Sequence, residues 1–563
     1  MRTIIADEVP DGSNVSRCDI GHYRRSRCGQ RSANNPVSME TMNTRQYFDY
    51  IIVGAGSAGC VLAARLSENP DIQVALIEAG GQDDAPEISM PVAFPSLFKT
   101  QYDWDFSTEP EQGLAGRRIY LPRGKTLGGS SSINVMIYIR GNPVDFDDWA
   151  QHEGAPGWSY REMLPYFIRS ENNERGRSPY HGDAGPLAVQ DGRSLHPIVD
   201  HLIEAGIRAG HRPNDDFNGA SQLGVGRYQL TQRNGIRCST ASAYLHPIKD
   251  RKNLHIFTDS LVHKVQFHGV RATGVSFQRY DEYRTLTAET EVILAAGAYA
   301  SPQILMLSGI GPAEELGSLG ISAIVDLPVG SNLQDHLLLP ICYLTDERSL
   351  FGAGSPEDAA IYQQGRGPLT SNIGEGGVFL STSGDTRVPD CQLILGAAMF
   401  HDEGLSAPFD HAYAATVTAL KPTSRGKVSL RSARPDAKPR IHHNYLSTEE
   451  DRTSMIGGVR RAVELLGQNN LAGLRRAPFS VPMSDAYDDI AEFIAQHTGS
   501  CFHPTSSCAI GRVVDTTLQV LGTEGLRVVD ASVMPSVVRG NTNAAVIAIA
   551  EKAADLVLGK PTA

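Results

Sequence analysis

The stretch from residue 50 to residue 80 constrains the fold more than any other part of the chain. Its sequence, YIIVGAGSAGCVLAARLSENPDIQVALIEAG, places an apolar strand, a glycine turn, a helix and a second apolar strand in succession. Gly54, Gly56 and Gly59 follow the first strand with the spacing G-x-G-x-x-G, and Glu78 comes at the end of the second. This order is typical of a parallel α/β unit that binds an ADP-type dinucleotide.

Each of these residues has a separate physical task in such a unit. Gly54 permits a tight turn, Gly56 lets the backbone approach a pyrophosphate, and Gly59 lets the following helix pack closely on the strand. The helix, expected over residues 57–67, would direct its N-terminal amides and its dipole at phosphates. Glu78 lies near the offset at which a carboxylate accepts hydrogen bonds from ribose hydroxyls. A plain α/β turn without a ligand is the alternative interpretation.

The composition is that of a large globular protein and disfavours some classes of partner. The chain has 563 residues, 41% of them hydrophobic, and a formal net charge of -12. This length predicts two or more joined domains, and the negative charge disfavours nucleic acid and tight binding to anionic membranes. No apolar run approaches the ~20 residues of a membrane helix. We therefore expect a cytoplasmic protein, with peripheral attachment to a membrane as an open alternative.

Two further features bear on the compartment and on the start of the fold. The eight cysteines include no C-x-x-C pair and no disulfide-like framework, so we expect no metal site and a reducing compartment. Residues 1–45 are polar and arginine-rich, and they lack the apolar core of a secretory signal. We predict a disordered extension there. It is either a targeting tail or the result of an early start codon, since Met39 and Met42 directly precede the fold.

Three other segments have the composition of nucleotide-binding backbone. Residues 124–134, GKTLGGSSSIN, form a turn of small residues with many free amides, for which an ordinary loop is the alternative. Residues 526–531, LRVVDA, predict a strand whose Asp530 suits a hydrogen bond to a cofactor hydroxyl. An alanine-rich helix is expected from Asn543. Its cap region at 541–543 would place amides and positive dipole where an anion must be stabilised.

The remaining patterns predict the supporting structure. Residues 254–296 alternate apolar and polar positions, which is typical of a short antiparallel sheet that leads into a buried strand. A helix is expected with Ser301 as its N-cap and Pro302 in its first position. Another is expected from Ser447, with a capping box to Glu450.

Four separated motifs together resemble the glucose-methanol-choline (GMC) flavin oxidoreductases, along residues 48–558. They are GAGSAG with Glu78, GKTLGGSSSIN at 124–134, GAYASPQILMLSGIG at 297–311, and the segments around His503 and Asn541. The resemblance implies an α/β fold in which a doubly wound, Rossmann-like domain binds FAD. It also implies a second, α+β domain, an antiparallel sheet flanked by helices, that covers the flavin and forms the substrate pocket.

The resemblance also implies domain boundaries and a set of FAD-binding residues. We expect the FAD-binding domain to comprise residues 46–195, 237–342 and 501–563, and the substrate-binding domain to comprise residues 196–236 and 343–500. Asn134 is expected to face the flavin, and the backbone of Val262 to meet the adenine. The full set of expected FAD-binding residues is Gly54, Gly56, Ser57, Ala58, Gly59, Glu78, Ala79, Gly128, Ser131, Asn134, Val262, Asp530, Ala531, Asn541, Thr542 and Asn543.

Two residues near the carboxyl end carry the chemistry that the resemblance implies. His503 matches the family's active-site histidine, which takes the proton of the alcohol, and Asn541 stands where the family has a second histidine or an asparagine. The hypothesis is oxidation of a primary alcohol to an aldehyde by hydride transfer to flavin N5, with His503 as general base. Asn541 would hold the alcohol oxygen. An ordinary hydrogen-bonded histidine is the alternative interpretation of His503.

Two departures from the family pattern narrow the expectation. Relatives that tether FAD covalently use a histidine at the position of Ile133, so we expect non-covalent FAD. Choline-handling relatives have a glutamate just after the NLQDH motif, whereas residues 337–339 here are leucines. Without a carboxylate to offset a buried cation, a neutral primary alcohol is the expected substrate.

The electron acceptor and the reaction class both have alternatives at this stage. Oxygen, a quinone or a redox protein could accept the electrons, and a dehydrogenase is favoured over an oxidase. The other reaction classes are a choline-type dehydrogenase, a hydroxynitrile-lyase-like flavoprotein without redox turnover, and a non-enzymatic flavin-binding protein. Assembly into a homo-oligomer is also left open.

Overall fold

The computed structural model describes residues 46–385 and 387–562. A mixed sheet of seven strands, here called the first sheet, contains the glycine motif of the sequence analysis. Its strand order is Leu254–Phe257, Val74–Ile77, Tyr47–Val53, Glu282–Leu294, Arg271–Arg279 and Ser260–His268, with Leu526–Val528 paired to Glu282–Leu294. The expectation of a disordered extension at residues 1–45 lies outside the described residues.

The first sheet joins a parallel half to an antiparallel half. Tyr47–Val53 pairs in parallel with both Val74–Ile77 and Glu282–Leu294. All four residues of Val74–Ile77 are buried, as expected for a parallel strand that is covered on both faces. Residues 260–294 form the antiparallel half, so the predicted hairpin that leads into a buried strand is confirmed. Residues 254–257 differ, because they pair in parallel with Val74–Ile77.

A second sheet is antiparallel throughout. Its strand order is Ala477–Ser480, Leu337–Leu344, Ala412–Ala419, Cys391–Gly396, Gly376–Leu380 and Gly224–Arg227, with Gly499–Ser500 paired to the start of Leu337–Leu344. The expected domain boundary between residues 342 and 343 would cut through Leu337–Leu344. That strand pairs only with strands of the second sheet. The division of the chain into two domains stays a prediction.

Short strands and eleven α-helices complete the described fold. The short strands are Phe106–Ser107 with Tyr120–Leu121; Gln232–Arg233 with Ile236–Arg237; Glu171–Asn173, Leu187–Asp191 and Gln229–Leu230; and Ser331–Leu333, Gly426–Ser429 and Arg440–His442. The α-helices are Ser57–Leu66, Pro86–Ser89, Pro143–Gln151, Tyr160–Ser170, Pro197–Arg208, Gly297–Leu307, Ala313–Ser318, Pro356–Tyr362, Glu449–Leu466, Tyr487–His497 and Asn543–Val557. Within residues 46–385 and 387–562, no helix combines the length and apolar character needed to cross a bilayer.

The helix that was expected to begin at Pro302, after Ser301, begins five residues earlier, at Gly297. Helix Gly297–Leu307 contains both Ser301 and Pro302 in its interior, and the Ser301 hydroxyl donates to Asp530 instead of capping the helix. Proline in a helix interior leaves the carbonyl four residues back without its usual donor. Here the Ser507 hydroxyl donates to that carbonyl, on Ala298, at 2.6 Å. A long-range contact thus makes the interior proline tolerable.

A second helix start is displaced by one residue. Thr448, not Ser447, is the N-cap of helix Glu449–Leu466, and its hydroxyl accepts from the Asp451 amide. Both registers contain a capping pattern, so local sequence does not separate them. The Asp451 carboxylate accepts from the backbone amides of residues 423 and 424, and this contact selects the observed register.

A cluster of four charged groups, three of them buried, lies outside the cavity that is described below. Arg140 donates to the Glu171 carboxylate at 2.6 Å, and both residues are almost fully buried. His181 contacts Glu171 through Nδ1 at 3.0 Å and Asp216 through Nε2 at 3.1 Å. Burial by itself would lower the pKa of His181, but the hydrogen bonds to Asp216 and Glu171 outweigh it and raise the pKa to about 9.

The stability of the fold should depend on pH through His181. Its pKa is about 9 in the folded state and about 6.5 in an unfolded chain, so its protonation stabilises the fold fully below about pH 6.5. That contribution, on the order of 3 kcal/mol, is lost as the pH rises through about 9. Urea unfolding between pH 6 and pH 10 measures it, and His181→Gln should flatten this part of the profile. Equal pH dependence in both proteins would contradict the assignment.

Candidate active site

A cavity of about 320 Å³ is lined by residues from both sheets. Val53 and Ile77, at the carboxyl ends of two parallel strands, contribute one wall, and Ile394 and Thr416 of the second sheet contribute the opposite wall. Ligands of open α/β sheets bind outside the carboxyl ends of the strands. The cavity therefore lies where the sequence motif predicts a cofactor.

Most of the predicted site residues meet in this cavity, although they come from distant parts of the chain. Three of them, Gly59, Gly128 and Ser131, are not among the residues that line it. Gly59 packs against Gly54, and the Ser131 hydroxyl donates to the Gly128 carbonyl, so all three lie beside the lining residues. Their contact with a cofactor stays a prediction. The predicted residues that line the cavity are Gly54, Gly56, Ser57, Ala58, Glu78, Ala79, Asn134, Val262, His503, Asp530, Ala531, Asn541, Thr542 and Asn543.

The surroundings of the three glycines of the motif differ from one position to the next. Gly54 has φ +99°, a conformation that favours glycine. A Cβ on Gly59 would lie 1.8 Å from the Gly54 carbonyl oxygen, so only glycine allows the helix to approach the turn. A Cβ on Gly56, in contrast, would meet no protein atom closer than 4.0 Å. The protein itself leaves room at Gly56, which is the position predicted to face a pyrophosphate.

Two helices begin at the cavity without a side-chain cap. In helices Ser57–Leu66 and Asn543–Val557, no side chain of the N-cap residue accepts from the first turn. The two N-termini are adjacent, since the Ser57 hydroxyl donates to Asn543 Oδ1 at 2.7 Å. Uncapped amides and two positive dipole ends form a site for an anion.

The two acidic residues of the cavity wall also bind the chain's own backbone. The Glu78 carboxylate accepts from the amides of Ala55 at 2.8 Å and Gly80 at 2.9 Å, and its burial raises the pKa to about 7. The Asp530 carboxylate accepts from the amides of Gly297 and Ser532 and from the Ser301 hydroxyl, and burial raises its pKa as well. Each carboxylate therefore fixes a turn or helix start beside the cavity in addition to its predicted contact with a cofactor hydroxyl.

His503 and Asn541 face each other at the cavity. His503 is buried, and its Nε2 lies 3.2 Å from Asn541 Nδ2. On the other side of the ring, His503 Nδ1 lies 3.0 Å from Nδ1 of His336. His336 Nε2 in turn lies 3.0 Å from the carbonyl oxygen of Leu420.

This chain of contacts fixes which nitrogen of His503 is free of a proton. A carbonyl only accepts, so His336 must carry its proton on Nε2. Burial lowers the pKa of His336 to about 4, and the neutral ring therefore accepts at Nδ1. His503 must then donate from its own Nδ1, which leaves Nε2 with a lone pair. That lone pair faces the Asn541 amide, which donates.

The neutral state of His503 follows from its surroundings. Burial lowers the pKa of His503 well below 6.5, and the neighbouring His336 and Arg123 lower it further. The ring is therefore unprotonated at neutral pH and able to accept a proton at Nε2. Asn541 Oδ1, also buried, has no hydrogen-bond partner among the described residues. The pair thus offers an acceptor and a donor side by side, as binding of a hydroxyl group requires.

Asp335 holds the two histidines through their backbones. One carboxylate oxygen accepts from the His503 amide at 2.7 Å and from the His336 amide at 2.9 Å. The other accepts from the hydroxyls of Tyr445, at 2.6 Å, and Ser500. Asp335 is buried, and this burial raises its pKa. Its four hydrogen bonds fix the relative positions of His336 and His503.

The residue before His503 has an unusual backbone conformation. Phe502 has φ +65°, which is rare for a large side chain and costs free energy. Its carbonyl accepts from Arg123 Nη2 at 2.6 Å, and its amide donates to the Ser500 hydroxyl at 2.8 Å. These bonds maintain the strained turn that directs the His503 ring toward Asn541.

The wall around His503 and Asn541 is apolar. Phe98, Phe400 and Phe502 line the cavity, and Leu338 lines it two residues after His336. Among the described lining residues, the charged side chains are Glu78, Arg123 and Asp530. Glu78 accepts from the amide of Ala55 in the glycine turn, and Asp530 accepts from the amide at the start of helix Gly297–Leu307. Both carboxylates are thus engaged on the side of the first sheet, and position 338 carries a leucine.

Sequence reasoning missed three residues of this site. His336 and Asp335 belong to the NLQDH motif, from which only the residues that follow it were interpreted, and Arg123 directly precedes the turn at 124–134. The available signal was a polar Q-D-H triplet directly before an apolar strand, a position at which charged side chains are costly unless they are paired.

Comparison with known proteins agrees with the geometry. Family models described as GMC oxidoreductase match residues 48–338 and 422–550. An alcohol dehydrogenase (acceptor) of Pseudomonas putida is 41% identical over 531 residues, which are 91% of this chain and 96% of that protein. An oxygen-dependent choline dehydrogenase of Vibrio vulnificus is 41% identical over 535 residues, which are 92% of this chain and 95% of that protein.

Solved structures show the same similarity. Pyridoxine 4-oxidase from Mesorbium loti superposes with a TM-score of 0.83 at 33% identity, covering 90% of this chain and 98% of that one. A formate oxidase superposes with a TM-score of 0.85 at 27% identity, covering 92% and 98%. The chain belongs to the GMC oxidoreductases. The predicted family and fold class are confirmed.

GMC oxidoreductases are FAD-dependent enzymes that act on CH–OH donors, and this chain is one of them. The described residues fit FAD on independent grounds. The cavity offers room at Gly56, uncapped amides at two helix starts, and an apolar wall. A pyrophosphate requires the first two features, and a flat ring system requires the third.

FAD is expected to be released intact on denaturation. Ile133 lines the cavity at the position of the tethering histidine, and a hydrocarbon side chain forms no bond to the flavin. Cys501 also lines the cavity, but burial raises the pKa of its thiol to about 12, so no thiolate is available. Acid precipitation should leave all yellow colour in the supernatant, and the intact mass should equal that of the polypeptide. A yellow pellet would contradict this prediction.

Proposed function

We propose that the enzyme oxidises a neutral, largely apolar primary alcohol to an aldehyde, with His503 as general base and Asn541 as the donor to the alcohol oxygen. The observation that carries the proposal is the 3.2 Å pair of His503 Nε2 and Asn541 Nδ2 in the cavity wall. An alcohol hydroxyl that replaces this mutual hydrogen bond can donate to the Nε2 lone pair and accept from Nδ2. The proton transfer itself requires only these two side chains.

The residues act on the proton of the alcohol. The hydroxyl donates to His503 Nε2 and accepts from Asn541 Nδ2, and the proton then moves to Nε2. His336 Nδ1 accepts from His503 Nδ1, so it stabilises the protonated ring without taking its proton. Bound FAD supplies the two-electron acceptor for this oxidation. The apolar residues around the pair exclude water, which strengthens both hydrogen bonds.

The architecture suggests a division of tasks between the two sheets. In this proposal the first sheet, with the glycine turn and the two uncapped helices, holds FAD. The second sheet covers it and supplies the substrate wall through residues such as Ile394, Ala414 and Thr416. The division of the chain into two domains follows these sheets, with a boundary before Leu337.

Choline is the second candidate substrate, because a relative at 41% identity is named a choline dehydrogenase. The structure offers an argument against it. Leu338 is apolar and lines the cavity, and burial of a quaternary ammonium without a carboxylate beside it is costly. We therefore favour neutral alcohols, with aliphatic and aromatic members as the first to test.

Anaerobic mixing of the enzyme with alcohols tests the proposal directly. Neutral primary alcohols such as 1-butanol and benzyl alcohol should bleach the flavin absorbance, with a second-order rate constant about 100-fold above that of choline. Leu338→Glu is a matched variant, which should shift the preference toward choline. A wild-type preference for choline would overturn the substrate assignment. Cleavage of a hydroxynitrile without bleaching by any alcohol would indicate a lyase instead.

The electron acceptor is proposed to be a quinone or redox protein in preference to oxygen. The alcohol dehydrogenase (acceptor) of Pseudomonas putida, at 41% identity, favours this choice. Turnover with a quinone-like dye should exceed peroxide formation in air under the same conditions. Peroxide formed at the rate of dye reduction would identify an oxidase.

A further inference from the structure

Arg237 is a buried cation, and the groups that accept its hydrogen bonds are all neutral. It ends the short strand Ile236–Arg237, and only 5% of its surface is exposed. Nε donates to the Ile88 carbonyl at 2.8 Å, and Nη1 donates to the Ser131 carbonyl at 3.2 Å and to Asn134 Oδ1 at 2.8 Å. Nη2 is buried and has no partner among the described residues.

The other deeply buried arginines are paired with carboxylates. Arg140 donates to Glu171 at 2.6 Å, and Arg527 donates to Glu291 at 2.8 Å. No carboxylate among the described residues forms such an ion pair with Arg237. Burial lowers its pKa to about 9, yet the group remains protonated at neutral pH. An uncompensated buried charge is costly, so a fold that contains one is expected to gain an anion from elsewhere.

The position of Arg237 indicates where that anion binds. Asn134, which accepts from Nη1, lines the cavity, as does the preceding Ile133. Asn134 Oδ1 also accepts from the Met136 amide at 3.0 Å, so the arginine and this amide together fix the orientation of the Asn134 side chain. The guanidinium is thus separated from the cavity by the Asn134 side chain, and it is hydrogen-bonded to the turn expected to meet the flavin.

We propose that Arg237 is a positioning residue whose charge compensates the anionic FAD and whose hydrogen bond fixes Asn134 against it. FAD brings negative charge into a cavity whose wall already contains Glu78 and Asp530, and reduction adds electrons to it. A fixed positive charge behind the wall favours both the binding of FAD and its reduction. This inference rests on the FAD cofactor of the proposed function, but not on its alcohol substrate.

Arg237→Met separates this role from a purely structural one. In the apoprotein the substitution removes an uncompensated charge, which stabilises the fold, and deprives the Ile88 and Ser131 carbonyls of this donor, which destabilises it. The thermal midpoint should therefore stay close to that of wild type. In the holoenzyme the dissociation constant of FAD should rise about tenfold or more, and the midpoint potential of the flavin should become more negative. Potentiometry with redox dyes measures the potential without any alcohol, so its outcome is independent of the substrate assignment.

Two variants serve as controls. Arg237→Lys keeps the positive charge and should keep a potential close to that of wild type. Arg140→Met removes a buried arginine of similar size but leaves Glu171 unpaired. It should therefore destabilise the apoprotein and the holoenzyme alike, with the flavin potential unchanged.

Two results would overturn the proposal. The first is an Arg237→Met apoprotein that is destabilised as strongly as Arg140→Met, because the loss of an uncompensated charge should offset most of the cost of the lost hydrogen bonds. The second is a variant whose FAD affinity and flavin potential equal those of wild type, which would reduce Arg237 to a structural link between Ile88 and the turn at 128–134.

Discussion

Replacement of His503 by alanine is expected to slow the reduction of bound flavin by alcohol about 10²–10⁴-fold, the usual contribution of a general base. The variant removes the lone pair that faces Asn541, whereas the glycine turn and the uncapped helices that hold FAD stay intact. The yellow colour and the FAD stoichiometry should therefore be unchanged. Anaerobic stopped-flow absorbance of the flavin measures the rate.

A second histidine variant controls for the loss of an imidazole as such. His152 is exposed at the end of helix Pro143–Gln151, so His152→Ala should reduce its flavin at the wild-type rate. Wild-type flavin reduction in His503→Ala with every alcohol tested would rule out His503 as the base. Loss of FAD from the variant would instead indicate a structural role for the ring.

Replacement of Gly59 by alanine is expected to open the glycine turn. The new methyl group would lie 1.8 Å from the Gly54 carbonyl oxygen, and neither backbone segment can move without separating helix Ser57–Leu66 from its strand. We expect a loss of about 3 kcal/mol or more in the free energy of unfolding and purification largely without FAD. Urea unfolding and the ratio of flavin to protein absorbance measure the two effects.

Gly56→Ala gives a contrasting result at the neighbouring glycine. Its methyl group would be no closer than 4.0 Å to protein atoms, so the stability of the apoprotein should stay within about 0.5 kcal/mol of wild type. FAD binding should nevertheless weaken, because the methyl group occupies the room left for the pyrophosphate. Gly317→Ala, where nothing lies within 4 Å, is a neutral control. Full FAD retention by both Gly56→Ala and Gly59→Ala would contradict this reading of the turn.

The parts of the fold that local sequence determines could be predicted. The strand, glycine turn and helix at 50–66 depend on apolar runs and on three glycines within a few residues of each other. The start of helix Gly297–Leu307 could not be predicted from local sequence. The Ser301 hydroxyl, expected to cap the helix, donates to Asp530, and the Ser507 hydroxyl satisfies the Ala298 carbonyl that Pro302 leaves without a donor. Thr448 was not predicted as the N-cap for a similar reason, because the observed register depends on the hydrogen bond from the distant Thr423 amide to Asp451.

The same difference between local and long-range interactions applies to the residues of the site. His503 and Asn541 were found through family motifs, and the structure brings them within 3.2 Å of each other. The protonation pattern of His503 depends on His336 and on the carbonyl of Leu420, which no local pattern links to it. Arg237 is equally invisible in the sequence, because its significance lies in the absence of a carboxylate around it among the described residues.

The cavity-facing strand Ala412–Ala419 suggests how enzymes of this architecture can change their substrates during evolution or in the laboratory. Successive side chains of a strand point to opposite faces. Ala414 and Thr416 line the cavity, whereas Val417, on the opposite face of the strand, packs against Gly458 of helix Glu449–Leu466. Mutations at Ala414 and Thr416 can therefore resize the substrate pocket while the helix packing and the proton-accepting pair stay as they are, which makes this strand the natural target for a selectivity library.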